Sequence, residues 1–475
     1  MPISRHWKAL GAGFTLCTIL GLTAAPAPAQ TTTASDAAAL AARVEALEQQ
    51  IARERQATEE HLRLLEEEIK ALKALAAQNV AAPAAAPTPP PVPAPPPPVA
   101  APAPIAIASG AGGKNFLNLS LDGLIAAGGS TGADIANLQP GGHDPSQRGF
   151  TVQNLEAVFD GAVDPYFKGQ ANVVLQIAPD GSTNVELEEA YVTTTSLPAG
   201  LQLKAGQFFT DFGRLNATHP HAWDFVDVPL VNARMLGGDG LRSTGIRGSW
   251  LVPTPFYSEL FLAVQNSQGE TLNSFRSVPG ETLFGRPVEE TSVKGLADML
   301  FTPRYTASFD IGDTQTVLLG ASGAFGPNGT GRDGRTRIYG LDGFWKWKSP
   351  RAMGGFPFVK VQAELMQRDL TAAETEIFPR EHFHDWGGYA QVNWGYKLGW
   401  VAGLRVDNVG GDIGMPADPT LAERWRVSPV WTWFPTEFSK LRLQYNYDHG
   451  KLFGHEQSLW LQLEFLLGAH AAHKF

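Results

Sequence analysis

The sequence predicts an all-β fold: a transmembrane antiparallel β-barrel of about sixteen strands, preceded by a short α-helical coiled coil and a proline-rich linker. Three observations predict it. Apolar and polar residues alternate in stretch after stretch from Phe116 onward, the connections between these stretches alternate in length, and the chain ends on an aromatic residue, Phe475. Alternating strands turn one face to lipid and the other to a polar interior, and single-chain bacterial barrels have an even number of strands.

The last strand shows the alternation most clearly. Leu459, Leu461 and Leu463 share one parity, opposite Gln462 and Glu464. Aromatic rings suit the membrane interface. We therefore predict that Phe475 is an assembly signal at the strand that closes the barrel.

The rhythm of the connections distinguishes a barrel from a soluble sandwich, which would also alternate. Short turns opposite longer loops are typical of outer-membrane barrels, whose strand ends also carry aromatic girdles. We predict short turns near 164–166, 196–200, 254–255, 312–313 and 435–436. We predict longer outer loops at about 128–147, 209–240, 266–294, 326–335, 369–384 and 408–422, with shorter ones at 178–184 and 449–456.

The N-terminal part divides into three segments before the predicted barrel domain, 115–475. Residues 1–29 resemble a secretory signal peptide that ends at an A-x-A site, and a transmembrane anchor is the alternative. Residues 30–80 carry apolar residues at four- and three-residue spacing, which predicts a periplasmic coiled coil rather than a lone helix. Residues 81–114 are rich in alanine and proline, which predicts an extended linker.

Composition excludes several classes of function. The formal net charge of -10 argues against a nucleic-acid partner. The single cysteine, Cys17, lies in the predicted signal peptide, so the mature chain has no thiol chemistry. Barrel enzymes that hydrolyse lipids need a nucleophile with a histidine base at one rim, and we expect neither an enzyme nor a cofactor.

Two short segments carry a resemblance to a known family. Leu187-Glu188-Glu189-Ala190-Tyr191-Val192 and Leu203-Lys204-Ala205-Gly206-Gln207-Phe208 resemble the phosphate-selective porin O/P family, gram-negative outer-membrane trimeric porins with an N-terminal coiled coil. The resemblance implies a homotrimer of sixteen-stranded barrels. It further implies passive diffusion of small hydrophilic, anionic solutes, with the third outer loop folded into the pore.

The expected location is the bacterial outer membrane, with the coiled coil in the periplasm. Expected partners are outer-membrane lipid, the barrel-assembly machinery and, through the coiled coil, the cell wall. Two alternatives remain open: a metal-regulated or TonB-dependent-receptor-like uptake protein, and a tether between outer membrane and cell wall. A receptor of that kind needs a plug and a 22-stranded barrel, and the region before Phe116 contains no globular plug.

The third long loop, 209–240, is the predicted constriction, because loops of this length are usually functional. Its ionisable residues are Asp211, Arg214, His219, His221, Asp224, Asp227, Arg234 and Asp239. A metal site would use His219 and His221, with Asp224 as a third ligand. We expect no metal there, because Pro220 splits the two histidines and their side chains are expected to diverge.

The polar parity of the strands predicts which basic residues line the pore. They are Lys168, Lys204, Arg247, Arg304, Lys346, Lys348, Lys360, Arg405, Arg424, Arg426, Lys440 and Arg442. The last four lie on two adjacent strands and are expected to form one basic patch, which predicts a mild anion preference. The alternative is that they pair with wall carboxylates and leave a weakly selective pore.

Overall fold

A computed structural model describes residues 105–109 and 116–468, together with Lys70. The chain forms two compact units, Met1–Pro98 and Val99–Phe475. The predicted signal peptide, the coiled coil, most of the linker and Phe475 lie outside the described residues.

Sixteen antiparallel strands form one closed sheet, as the alternation predicted. We number the barrel strands in chain order: β1 Phe116–Ser130, β2 Gly149–Ala162, β3 Phe167–Ile177, β4 Thr183–Thr194, β5 Leu201–Phe209, β6 Arg242–Leu251, β7 Tyr257–Asn266, β8 Met299–Ile311, β9 Gln315–Pro327, β10 Arg335–Met353, β11 Phe356–Ala372, β12 Glu381–Lys397, β13 Trp400–Gly411, β14 Arg424–Thr436, β15 Ser439–Gly450 and β16 Gly454–Leu467.

The barrel closes where β16 pairs with β1. The register runs from Ser458 opposite Ser130 to Leu467 opposite Leu121. Each remaining strand pairs with its neighbours in sequence. Closure leaves no free sheet edge along this seam, as a barrel in lipid requires.

The sheet begins earlier than the predicted domain boundary at residue 115. Ile105–Ser109 is a strand that pairs antiparallel with the start of β1. Its partners are Phe116 to Leu119, which lie beyond the last pair that β16 makes with β1. The final part of the predicted linker therefore extends the sheet at the seam.

Exposed and buried side chains alternate along the strands as predicted. On β16, Leu459 and Leu461 are about half exposed, whereas Trp460 and Gln462 are buried. Aromatic residues gather at the ends of β13 and β14, where the Trp400 ring lies 5.5 Å from that of Trp433. The outer face is therefore apolar with aromatic ends, as a lipid-facing wall requires.

The connections alternate between turns and loops. The turns span 163–166, 195–200, 252–256, 312–314, 354–355, 398–399 and 437–438. At the opposite end lie the outer loops L1 131–148, L2 178–182, L3 210–241, L4 267–298, L5 328–334, L6 373–380, L7 412–423 and L8 451–453. The long loops lie within a few residues of their predicted positions.

Within residues 116–468, two short α-helices lie in these loops: α1 Ile135–Leu138 in L1 and α2 Leu230–Leu236 in L3. No helix in the described part of the chain is both long and apolar enough to cross a membrane. Leu230 and Met235 of α2 are buried in a cluster that includes Met366 and Tyr389 of the wall. L3 thus packs inside the barrel.

Candidate functional site

L3 leaves the wall at β5 and returns to it at β6. The side chain of Asn216 links the two ends of the loop. The Asn216 side-chain amide donates to the carbonyls of Thr210, at 2.8 Å, and Leu241, at 2.9 Å. Its oxygen accepts from the Leu241 N–H at 2.8 Å. These three bonds hold the two limbs of L3 together before the loop crosses the lumen.

The first limb binds the wall at β9 to β11. The Gly213 N–H donates to Ser322 Oγ at 3.0 Å and the Leu215 N–H to Glu364 Oε1 at 2.8 Å. Phe212 is buried against Gly340, where a Cβ atom would come within 2.7 Å of its ring. The absence of a side chain at Gly340 therefore allows the loop to approach the wall.

The middle of L3 meets a wall rich in basic residues, formed by β13 to β15, which we call the basic wall. Asp227 is its centre. Its Oδ1 accepts from Arg405 at 2.6 Å and its Oδ2 from Arg426 at 2.9 Å. The Gln444 and Asn446 amides each add a bond of 2.7 Å. Four donors from three strands thus hold one loop carboxylate.

These donors also fix the ionisation of Asp227. Burial by itself would raise the pKa of its carboxyl, but Arg405 and Arg426 outweigh burial and lower that pKa to about 2. The carboxylate is therefore ionised at neutral pH.

The basic wall also binds the backbone of L3. Lys440 donates to the His221 carbonyl at 2.5 Å, and Arg442 donates to the carbonyls of Trp223, at 2.6 Å, and Phe225, at 3.1 Å. Such bonds need no particular loop side chain. Their acceptors could not have been identified from the sequence.

On the opposite side, L3 meets carboxylates of β2 and β4, which we call the acidic wall. His219 Nδ1 lies 3.1 Å from Glu156 Oε1 and 3.1 Å from Glu188 Oε2. His219 Nε2 lies 3.1 Å from Glu189 Oε2. Burial would lower the pKa of His219, but Glu156, Glu188 and Glu189 raise it well above its usual value.

A β-bulge creates the acidic wall. Asn172 of β3 faces Glu189, whereas Val173 faces Leu187, so Glu188 has no partner in the register. Both glutamates are consequently buried, at 0% and 5% exposure. An extra residue in one strand changes the direction of the neighbouring side chains in this way. A strict alternation of residues cannot predict such a bulge.

Two further histidines belong to this side. His221 Nδ1 lies 3.2 Å from Glu156 Oε2, and His143 Nε2 of L1 lies 3.0 Å from Glu188 Oε1. The expectation that His219 and His221 diverge is wrong. A 3-10 helix, Pro220–Ala222, places their rings in parallel, with centroids 5.8 Å apart.

Asp224 does not join the histidines. Its Oδ1 accepts from Lys360 at 2.5 Å, and its Oδ2 accepts from Gln391 and Asn393 at 3.2 Å each. Arg214, on the first limb, stacks over the ring of Phe344. The structure therefore excludes Asp224 from the metal-ligand set considered from the sequence.

Two further predicted residues of L3, Arg234 and Asp211, also contact the barrel wall. Arg234 donates to Asp385 at 2.8 Å, and Asp211 lies 3.7 Å from Arg247. Burial lowers the pKa of Arg234, and Asp385 counteracts this effect. Asp385 was not among the candidates, because its partner lies on a distant loop.

All twelve predicted pore-lining basic residues lie on the inward parity, and they fall into two groups. The first group is buried and consists of Arg247, Arg304, Arg405, Arg424, Arg426, Lys440 and Arg442. The second is partly or fully exposed and consists of Lys168, Lys204, Lys346, Lys348 and Lys360. On β14 and β15, Arg424 and Arg426 are paired with Asp448 and Lys440 with Glu464, whereas Arg442 donates to the side chain of Gln462 and to L3 carbonyls.

L1 completes the site from the outside. Asp144 accepts the N–H of Val228 at 2.9 Å and that of Gly141 at 3.0 Å. The Leu138 carbonyl at the end of α1 accepts from Arg424 and Arg426. Burial raises the pKa of Asp144 to about 7, and the nearby Asp227 adds to this effect. His143 and Asp144 were missed because their partners are distant in sequence.

Comparison with known proteins gives one sequence relative and several structural ones. No family model matches the chain. A protein of Aquifex aeolicus (strain VF5), described as uncharacterized, is 32% identical over 372 residues, which is 70% of this chain and 73% of the relative.

Solved structures similar to this chain include outer-membrane proteins. The outer membrane channel DcaP of Acinetobacter baumannii has a TM-score of 0.48 and 11% identity, over 75% of this chain and 99% of that one. The anion-selective porin from Comamonas acidovorans has a TM-score of 0.46 and 8% identity, over 74% and 100%. At these scores the likeness adds no argument about this chain.

Proposed function

We propose that this chain, which belongs to the same family as the Aquifex aeolicus protein, is an outer-membrane porin for passive diffusion of small hydrophilic solutes. The observation that carries the proposal is the closed sixteen-stranded sheet, with an apolar outer face and ionised residues inside. Barrels of this strand number leave room for an aqueous channel. The proposal involves no chemical reaction and no cofactor.

L3 sets the width of this channel. It binds β9 to β15 on one side and β2 to β4 on the other, so solutes at its level pass only through the space that it leaves open. We therefore propose a narrow pore for small solutes.

The exposed lysines support a preference for anions. Lys346 and Lys360 lie directly opposite each other on β10 and β11, and Lys348 follows on the same face. Like charges opposite each other destabilise a sheet, so this pair favours a role in attracting solute. Charges that line a low-dielectric tube act strongly on passing ions. We assign the anion preference to these partly exposed lysines, of which Lys360 also binds Asp224, rather than to the buried arginines.

We further propose a homotrimer in the outer membrane of a gram-negative cell, with residues 30–80 as a periplasmic coiled coil. The resemblance of the segments at Leu187 and Leu203 to the O/P porins supports this arrangement. The exposed apolar belt of the barrel supplies a surface that can contact lipid or neighbouring copies.

A swelling assay on proteoliposomes tests passive diffusion. The full chain, folded and reconstituted, should admit small sugars without an energy source, and the rate should fall steeply as solute size increases because L3 narrows the lumen. Liposomes with boiled protein are the control. A folded barrel that leaves the liposomes impermeable to the smallest solutes would overturn the proposal.

A further inference from the structure

Three side chains on the acidic wall and L3 converge on one point inside the barrel. One ligand atom each from Glu156, Glu188 and His219 lies within 4.8 Å of the other two. All three residues are buried, and Glu156 and Glu188 are fully so. They come from β2, the bulge of β4 and L3, so the cluster exists only when the loop is docked.

Two carboxylates of this cluster approach the same ring nitrogen of His219. His219 Nδ1 can carry one proton, yet carboxylate oxygens of Glu156 and Glu188 both lie 3.1 Å from it. The Glu156 oxygen also accepts from the Asn172 side-chain amide, so the His219 proton is shared between an oxygen that has another donor and one of Glu188. A cation at the point where the three atoms converge would satisfy all of them at once.

The charge around the cluster favours a cation as well. Four carboxylates are buried here, those of Asp122, Glu156, Glu188 and Glu189. Arg242 lies 3.3 Å from Glu188 and is also bound to Glu186. His143, His219 and His221 contact these carboxylates too, but each carries a charge only when it is protonated. Lys440 is bound to Glu464. Buried carboxylates in excess of fixed cations are costly unless they are protonated, paired or bound to metal.

We propose that Glu156, Glu188 and His219 bind a divalent transition cation of the zinc class. Nitrogen and carboxylate oxygen ligands suit this class, whereas calcium takes oxygen ligands. Ligand atoms around a tetrahedral zinc ion lie about 3.3 Å apart, given bonds of about 2.0 Å. The two separations of 3.1 Å at His219 Nδ1 match that spacing.

The residues around the cluster are arranged to orient its ligands. With Nδ1 on the ion, the Nε2–H of His219 donates to Glu189 Oε2, 3.1 Å away, and this bond fixes the tautomer. The second oxygen of Glu188 lies 3.0 Å from His143 Nε2. Ligands of metal ions are usually oriented by such outer hydrogen bonds. The ion would fasten L3 to the acidic wall.

Cobalt and zinc binding by the full chain in detergent tests the site. After treatment with a chelator and its removal, the native chain should bind one Zn²⁺ per chain in equilibrium dialysis. His219→Gln and Glu188→Gln should each weaken binding by at least about 100-fold, and Glu189→Gln by about 10- to 100-fold. His384→Gln is the matched control, because His384 also contacts a carboxylate, Asp369, but is exposed at the outer end of β12. The control should bind as the native chain does.

A spectrum of the native chain keeps the test independent of any variant. Co²⁺ should give the intense visible absorption of a four-coordinate ion with nitrogen and oxygen ligands. Absorption of the hydrated ion alone would overturn the proposal, as would equal binding by the native chain and a folded His219→Gln variant. Because binding is measured without a membrane, its failure would leave the porin proposal untouched.

Discussion

The two sides on which L3 docks differ in how their charges are balanced. On the basic wall, Asp227 meets Arg405 and Arg426, and each of these arginines also binds a wall carboxylate. On the acidic wall, His219 meets three glutamates. One side pairs carboxylates with arginines, which are always charged, and the other pairs them with histidines, which are charged only when protonated.

The difference shows that one loop can be held in two physically distinct ways. Guanidinium–carboxylate pairs with several donors hold their geometry without a ligand. A histidine among buried carboxylates holds its geometry only when it is protonated to an imidazolium or bound to a metal ion. The basic wall is therefore a fixed anchor for L3, and the acidic wall is an anchor whose strength depends on what it binds.

Removing the fixed anchor should have the largest effect. Asp227→Ala leaves Arg405 and Arg426 buried without their loop partner, which should lower the free energy of unfolding by about 3–5 kcal/mol. L3 should also loosen, which increases single-channel conductance. Urea unfolding and planar-bilayer recording measure the two effects.

The control for this variant is Glu290→Gln, which removes a surface ion pair with Lys294. Such pairs contribute little, so neither the unfolding midpoint nor the conductance should change. A native-like midpoint and conductance for Asp227→Ala would show that the basic wall does not hold the loop.

Metal removal should affect only the acidic side. Zn²⁺ at about 100 times its dissociation constant should stabilise the native chain by about 2.7 kcal/mol, and a chelator should abolish that gain. Glu188→Gln should unfold at the same urea concentration with or without Zn²⁺. Equal stabilisation of native chain and variant would locate the ion elsewhere.

Acidification should leave the fixed anchor intact over a wide range. The folded pKa of Asp227 is about 2, below the unfolded value of about 3.9 for an aspartate. Its ionic contribution to stability is therefore fully present above about pH 5, and it is lost as the pH falls toward 2. The stability difference between the native chain and Asp227→Asn should not decrease from neutral pH to about pH 5 and should shrink below that. A decrease already near pH 6 would contradict the low pKa.

The smallest effect should be on ion selectivity. Lys348→Gln combined with Lys360→Gln should shift the reversal potential in a salt gradient toward cations, because these lysines are accessible to solute. Arg442→Gln should shift it less, because Arg442 is buried against L3 carbonyls. Lys451→Gln, at the exposed loop L8, is the control. A larger shift for Arg442→Gln would return selectivity to the arginine patch.

The sequence predicted the barrel wall better than it predicted the contacts of L3. Alternation at Leu459 to Leu463 and the spacing of turns predicted the strands, because each depends on neighbouring residues only. The bulge at Glu188 breaks that alternation and could not be predicted from it. The pairing of Asp227 with Arg405 and Arg426 joins residues that are distant in the chain, so only the closed barrel brings them together.

Single-channel recording of the full native chain in a planar bilayer under a salt gradient tests the central claim most directly. A porin narrowed by L3 should give discrete current steps, linear in voltage, with a reversal potential on the anion side and a conductance that rises in Asp227→Ala. A folded barrel that gives no steps, or one whose native current equals that of Asp227→Ala, would contradict this account.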